Sequence, residues 1–409
     1  MKLARSFPAI ALAGLLVAAC GGGSSTGGGS SPSASVPSDL TVDSFDVNFT
    51  AMAKLKSVHD AGSGLVGVIL PDTTSSVRYV TFDAPYLKTA FTDAGFSASE
   101  FKIDNAQGSD STELAQAQAD ITQGAKVLVM DPIDSTVGTQ IQQAAAAKGV
   151  KVISYDRATF TGTNTYYVSF NNVNVGKLIG QGFLDCIKAW NVSNPQVFTL
   201  NGGEDTDPNA IDFAKGYNSV VWGDEVPQEQ AGKSANGLTL VGDQVAPGWD
   251  NSKGQTIFQQ QYTAHKNINA TIEANDGLAN AVVTVLKQSG VAANKIPTTG
   301  QDASLQGIEN ILQGYQCGTV YKAVYVEAQG AVALATILRA GLTPPSALVN
   351  GTTSPASGKP GNTQPAMLLT PMWVDKTKVA STVIKDNFVD KNALCQAVTQ
   401  AVCTANGIS

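Results

Sequence analysis

Seven apolar runs in the chain are each followed at once by polar residues able to grip a small ligand: Pro71-Asp72, Asp131-Pro132, Asp156-Arg157, Asn201-Gly202-Gly203, Asn275-Asp276, Gln301-Asp302 and Lys322. Carboxylates accept hydrogen bonds, and amides both accept and donate, which suits vicinal hydroxyls. Arginine presents a planar fork to two oxygens. Trp249, after Pro247-Gly248, offers a flat face to the C–H side of a ring, and Tyr79 and Tyr321 are two more candidate faces. Together these groups have the chemistry of a monosaccharide site. Singly, each has a plainer reading. Asp or Asn after a strand is most often a turn former or a helix N-cap, and Asp131-Pro132 and Asp276-Gly277 are assigned to that class. Gly202-Gly203 lacks the spacing of a phosphate loop and reads as a tight turn. His59 and His265 lie in polar helical stretches and read as solvated.

The order of elements is what brings such residues together. Apolar runs at 64–70, 101–103, 126–130 and 150–154 alternate with helical periodicity at 86–94, 111–123 and 136–148. The alternation resumes with strands expected at 196–200, 238–241, 270–274, 296–300 and 319–321. Helices are expected at 176–190, 210–221, 253–263, 277–289, 305–313 and 326–340. Residues 42–59 read as a lead-in helix, 346–365 as a long loop and 367–374 as a last strand before a C-terminal helical segment. This alternation predicts parallel sheets covered on both faces. The strands are too numerous for one sheet, so the expected fold is α/β with two doubly wound, Rossmann-like lobes. Open α/β sheets bind ligands beyond the carboxyl ends of their strands, where the polar residues above fall.

Composition narrows the function. The chain has 409 residues, 43% of them hydrophobic, which excludes global disorder and suggests two domains. Lys plus Arg number 26 against 33 Asp plus Glu, so no basic surplus exists to displace phosphate counterions, and no nucleic-acid partner is expected. Two histidines argue against a His-rich metal site, and no metal or cofactor is expected. Lys2 and Arg5 precede an apolar stretch over 7–19, too short for a membrane span, so residues 1–19 read as a secretory signal. Its ending, Leu16-Val17-Ala18-Ala19-Cys20, resembles the lipobox of bacterial lipoproteins, which implies that Cys20 is lipidated. A Gly/Ser/Pro-rich linker follows over 21–37, so 20–59 is read as anchor, linker and lead-in. Four further cysteines sit in what is then an exported chain, where disulfides persist. They allow three connectivities. Cys395 with Cys403, close in sequence, is the favoured pair, leaving Cys186 with Cys317.

Several runs carry a family resemblance: Val152-Ile153-Ser154-Tyr155-Asp156-Arg157, Tyr167-Val168-Ser169-Phe170-Asn171-Asn172, Val241-Gly242-Asp243-Gln244, Gly248-Trp249, Ala274-Asn275-Asp276, Gly300-Gln301-Asp302-Ala303 and Thr319-Val320-Tyr321-Lys322. In order, from about 64 to about 391, the chain resembles the D-xylose-binding proteins of ABC importers, which are type I periplasmic sugar-binding proteins. The resemblance implies a site between two lobes joined by three crossovers, near Ser169-Phe170, Lys322-Ala323 and Thr370-Pro371. One lobe is then 60–168 plus 323–369, and the other 169–322 plus 370–409. Matched positions imply sugar contacts from Arg78, Asp156 and Arg157 in the first lobe. Asp207, Asn209, Trp249, Asn275 and Asp302 would contribute from the second, with Lys322 at a crossover. Tyr79 stands where the family commonly has Trp, Pro208 where it often has Asn, and Ala323 where Pro is common.

The function so implied is a monomeric, lipid-anchored receptor. It would bind D-xylose, or glucose, arabinose or galactose, between its lobes by hinge closure and deliver the sugar to an ABC permease in the membrane. Two alternatives use the same residues. A sensor would present the bound sugar to a signalling receptor, and loss of a response rather than of uptake would reveal it. A sugar hydrolase would use Asp156 and Asp302 as a carboxylate pair and consume its ligand; the arginines beside Asp156 suit instead a permanently ionised acceptor.

Overall fold

The computed structural model describes residues 34–162, 165–203, 207–355 and 360–408; the signal segment and Cys20 lie outside the described residues. The first apolar runs form β1 (Leu65–Leu70), β2 (Phe101–Asn105), β3 (Ala125–Met130), β4 (Lys151–Tyr155) and β5 (Thr165–Phe170), which pair in parallel in the order β2-β1-β3-β4-β5. Helix α1 (Lys56–Ala61) precedes them, and α2 (Ala84–Ala94), α3 (Asp110–Thr122) and α4 (Ser135–Ala146) connect them. The chain then enters a second layered unit. This contains α5 (Asn172–Ala189), β6 (Gln196–Gly202), α6 (Pro208–Val221), β7 (Ser234–Ala235), β8 (Leu238–Ala246), α7 (Asn251–Ala264), β9 (Ala270–Glu273), α8 (Asp276–Gln288), α9 (Leu305–Gln313) and β10 (Gly318–Tyr321). Its sheet runs β7-β8-β6-β9. With α10 (Val324–Arg339) the chain returns to the first sheet, and β11 (Gly351–Thr353) and β12 (Gln364–Leu369) complete it beside β5. It crosses once more to β13 (Met372–Asp375), antiparallel to β10, and ends in α11 (Lys391–Val398) and α12 (Gln400–Ala405). The fold is α/β, two doubly wound lobes joined by three crossovers: β5 to α5, β10 to α10, and β12 to β13.

Four departures from the expected elements have physical causes. Strand β5 escapes a search for apolar runs because its sequence, Thr-Tyr-Tyr-Val-Ser-Phe, is mixed, yet it lies inside the sheet. The expected strand over 367–374 divides into β12 and β13 at Thr370-Pro371, where proline has no N–H for the ladder. The expected loop over 346–365 contains β11 and the start of β12. No strand forms at 296–300. There, side chains replace ladder bonds: Glu273 N–H donates to Thr299 Oγ1 at 2.9 Å, and Thr299 N–H donates to Glu273 Oε2 at 2.9 Å. The lead-in is helical in its second half, 50–61, and Leu40, Phe45, Met52, Leu55 and Val58 bury their side chains in the core. His59 is not solvated as expected; its ring packs 4.6 Å from Phe96 and bonds Glu100 at 3.2 Å.

Helix α10 is buried along nearly its whole length, as an all-round apolar helix requires. Helices α5 and α6 cross at Gly176 and Gly216, where a Cβ would stand 2.1 Å from the Phe213 carbonyl oxygen and 2.3 Å from that of Val173. The structure pairs Cys186 with Cys317 and Cys395 with Cys403, sulfurs 2.06 and 2.01 Å apart, as the favoured connectivity has it. Among the described residues no helix is long and apolar enough to cross a membrane.

Candidate functional site

Residues from both lobes line one small cavity: Arg78, Tyr79, Asp156 and Arg157 from the first, and Asp207, Asn209, Phe213, Trp249, Asn275 and Asp302 from the second, with Ser75, Ser76, Gln301 and Lys322. All nine expected site residues are therefore brought together.

The first-lobe side is a cluster of buried charge. Arg78 precedes a widened turn, Tyr79–Asp83, that leads into α2 and puts Asp83 within reach. Its Nε donates to Asp83 Oδ2 at 3.0 Å, and its Nη2 to Asp83 Oδ1 at 2.7 Å and to Glu327 Oε2 at 2.6 Å. Its Nη1 donates to Asp156 Oδ1 at 2.9 Å. One guanidinium thus serves three carboxyl groups, and one of its four hydrogen bonds fixes Asp156. Tyr79 Oη donates to Asp156 Oδ2 at 3.0 Å, and its ring lies 5.6 Å from both the Arg78 and Arg157 guanidinium carbons. Burial alone would raise the Asp156 carboxyl, but Arg78, Lys322 and Arg157 hold it down at about 2. At Glu327 burial prevails and pushes the carboxyl up to about 8 despite Arg78.

Asp131 is not the turn former or cap expected. Asp134 caps α4, accepting from the Thr136 and Val137 N–H groups. Asp131 is fully buried, its Oδ1 3.9 Å from Arg157 Nε, and burial raises its carboxyl well above the usual range. It lies behind the site, beside Arg157.

The second-lobe side is built from helix caps. Asp207 caps α6, with Oδ1 accepting from the Asn209 and Ala210 N–H groups, while Oδ2 accepts from Trp249 Nε1 at 2.8 Å. The Trp249 ring lies against Gly202, where a Cβ would stand 2.1 Å from it; this close approach is why a glycine ends β6. Asn209 links the lobes, its Nδ2 donating to the Asp156 carbonyl at 3.0 Å and its Oδ1 accepting from Asn172 Nδ2 at 2.8 Å. Asn275 caps α8 through Oδ1, accepting from Leu278 N–H at 2.9 Å. Asp276, expected to be a turn or cap residue, does something else. Its Oδ2 accepts from Ser304 N–H at 2.7 Å and its Oδ1 from Gln316 Nε2 at 2.8 Å, and its own N–H donates to the Gln301 carbonyl at 3.0 Å. It clamps the 301–304 segment, where Asp302 and Ala303 take left-handed backbone, φ 90° and 52°.

Lys322, the last residue before α10 apart from Ala323, sits between the two sides. Its Nζ is 3.0 Å from Asp302 Oδ1 and 3.9 Å from Asp156 Oδ1. Tyr321 does not supply a face to the cavity; its hydroxyl donates to Asp386 Oδ2 at 3.1 Å beside the crossover. Sequence reasoning missed Phe213, whose ring stands 6.2 Å from that of Trp249, because on α6 it looks like any core residue. It also missed Asp83 and Glu327, which carry no local signal. The cavity volume is ≈ 30 Å³, room for about a water or two and less than a sugar ring, so a larger ligand enters only as the lobes separate. Among the described residues no three His, Cys, Asp or Glu side chains are grouped to hold a metal ion.

Two facing doubly wound lobes with a polar cavity between them define a two-lobed binding protein. The chain belongs to the periplasmic binding protein family, whose domain model matches residues 66–342. It is 32% identical over 295 residues to the D-xylose-binding periplasmic protein of Escherichia coli K12, covering 71% of this chain and 82% of that one. It is 29% identical over 348 residues to the multiple sugar-binding periplasmic receptor of Rhizobium radiobacter, covering 82% and 93%. Among solved structures, the carbohydrate transporter solute-binding protein of Chloroflexus aurantiacus in complex with D-glucose is similar, with TM-score 0.68 and 25% identity over 81% of this chain and 98% of that one.

Proposed function

We propose that the protein is a monomeric extracytoplasmic receptor of an ABC importer. It captures one monosaccharide, D-xylose first and glucose, arabinose or galactose as near alternatives, and delivers it to the permease. Acyl chains on Cys20 hold it at the membrane, and a Cys20→Ser variant should leave the membrane fraction. The lobes are 60–168 plus 323–369 and 169–322 plus 370–409. The observation that carries the reading is the cavity's mix of ionised acceptors and fixed donors from both lobes, with Lys322 reaching Asp156 and Asp302 together. A ligand that touches both lobes favours the closed state by its differential contacts. Micromolar affinity needs ~8 kcal/mol, which several charge-assisted hydrogen bonds of ~1.5–3 kcal/mol and a stacked Trp249 supply after ordering costs. The relatives described for D-xylose and for multiple sugars support the ligand class. An Asp156 held down at about 2 is an acceptor, the opposite of the raised carboxyl a glycosidic acid uses. Calorimetric titration of the purified full chain with the four sugars tests this. Saturable binding of D-xylose at micromolar or tighter, the sugar recovered unchanged, is expected; no binding of any of the four by folded protein overturns it.

A further inference from the structure

A second, larger cleft lies outside the small cavity, bounded by the Ser75 to Tyr86 stretch of one lobe and the amino ends of α8, α9 and α11 in the other; its volume is ≈ 1060 Å³. Ser75, Ser76, Asn275 and Asp302 line both spaces, so the two adjoin at these four residues. Between them stands one contact across the lobes, Ser76 Oγ donating to Asp302 Oδ2 at 3.2 Å.

The two linings differ in kind. The inner one is dominated by charge. The outer one adds the neutral amides Asn251, Asn280, Gln306 and Asn387 to the ionisable Asp276, Asp302, Glu309, Asp390 and Lys391. Beside them Phe82 and Phe388 stack across the lobes at 4.0 Å and 16°. Amides offer both donors and acceptors to hydroxyls without the cost of desolvating a charge, and the buried phenyl pair walls the cleft between the lobes. At the rim Val77 and Leu305 remain 56% and 37% exposed, apolar surface facing the same opening. The volume is at the upper end of the ~300–1,000 Å³ usual for sites that enclose a whole small-molecule ligand, far beyond what one sugar ring requires.

We infer that the outer cleft is a second sugar subsite, so that the receptor takes saccharides extended past Ser76 and Asp302, a disaccharide or a glycoside, as well as the free monosaccharide. The inference rests on the monosaccharide reading of the inner cavity. In the extended complex the Ser76–Asp302 hydrogen bond opens, and the glycosidic oxygen, an acceptor with no proton of its own, takes the Ser76 hydroxyl's donation. Asp302 keeps Lys322.

The test is calorimetry on the purified full chain with matched pairs: D-xylose and β-1,4-xylobiose, D-glucose and cellobiose, and the methyl β-glycoside of each sugar. At least one disaccharide should bind within about ten-fold of its monosaccharide. Phe388→Ala should lower the disaccharide-to-monosaccharide affinity ratio ten-fold or more. Gln306→Trp, an exposed position that tolerates a large side chain, should do the same by filling the cleft, and it decides the matter if Phe388→Ala fails to fold. Monosaccharide binding with every disaccharide and glycoside more than 1,000-fold weaker overturns the inference, as does an unchanged ratio in Gln306→Trp. Failure of all the probes, monosaccharides included, instead overturns the reading on which it rests.

Discussion

The two sides of the inner cavity reach similar chemistry by different construction. The first-lobe side is a closed, buried circuit around one charged group, Arg78 shared among the carboxyls of Asp83, Asp156 and Glu327. The second-lobe side is made of side chains that already terminate helices, Asp207 on α6 and Asn275 on α8, with Trp249 held by the first of them. A buried ion cluster cannot lose one member without leaving the others uncompensated, at a cost of several kcal/mol. A cap is worth ~1 kcal/mol and uses one side-chain atom, and at Asp207 the other holds Trp249. The first side is therefore rigid and intolerant of change. The second can vary at lower cost, which makes it the better place to retune sugar preference.

The largest expected effect comes from breaking the charge circuit. Asp156→Ala strips Arg78 and Lys322 of a shared partner, and it should destabilise the protein by ~3–5 kcal/mol in urea unfolding and abolish sugar binding. Asp207→Ala should cost only ~1 kcal/mol of stability but lower sugar affinity about ten-fold, because the Trp249 indole loses its anchor. Equal destabilisation by the two variants would erase the contrast between the sides.

The clamp on Asp302 sharpens the comparison further. Asp276→Asn keeps the side chain's size but turns one acceptor into a donor facing Ser304 N–H or Gln316 Nε2. Affinity for the monosaccharide should fall ten-fold or more, with D-xylose more affected than the thermal midpoint of the free protein. A variant that binds normally shows the 301–304 segment to be held by other contacts.

A further effect is on pH. Burial raises Glu113, Glu273 and Glu327 to about 8, and Asp243 and Asp276 to about 7. Such groups stay protonated in the folded chain after the unfolded chain has released its protons, near pH ~4. Their contribution is complete below that pH and is lost as pH rises through 7 to 8. Asp156 acts oppositely and loses its contribution only as pH falls towards about 2. The thermal midpoint should therefore be higher at pH ~5.5 than at pH ~8.5, and Glu327→Gln should flatten that slope. A midpoint that rises over the same range would show these carboxyls to be ionised in the folded protein.

Much of the plan was legible from local pattern. Apolar runs of strand length alternating with helical periodicity marked the doubly wound fold, and polar residues placed directly after those runs marked the rim on which Asp156, Arg157, Asn275, Asp302 and Lys322 meet. The Cys395–Cys403 pair followed from nearness in sequence, which left Cys186 with Cys317. These features depend on a few neighbouring residues and on backbone geometry, so a sequence displays them directly. What only the tertiary structure decided is which distant groups share a charge. Nothing near Arg78 announces Glu327, 249 positions away, or shows that Asp131 and Asp276 act from within the core rather than at turns. Nor does the β6 sequence show that Trp249 will lie on Gly202. Such choices are settled by packing, where exclusion of water makes every unpaired buried charge costly and every close approach exact its own residue.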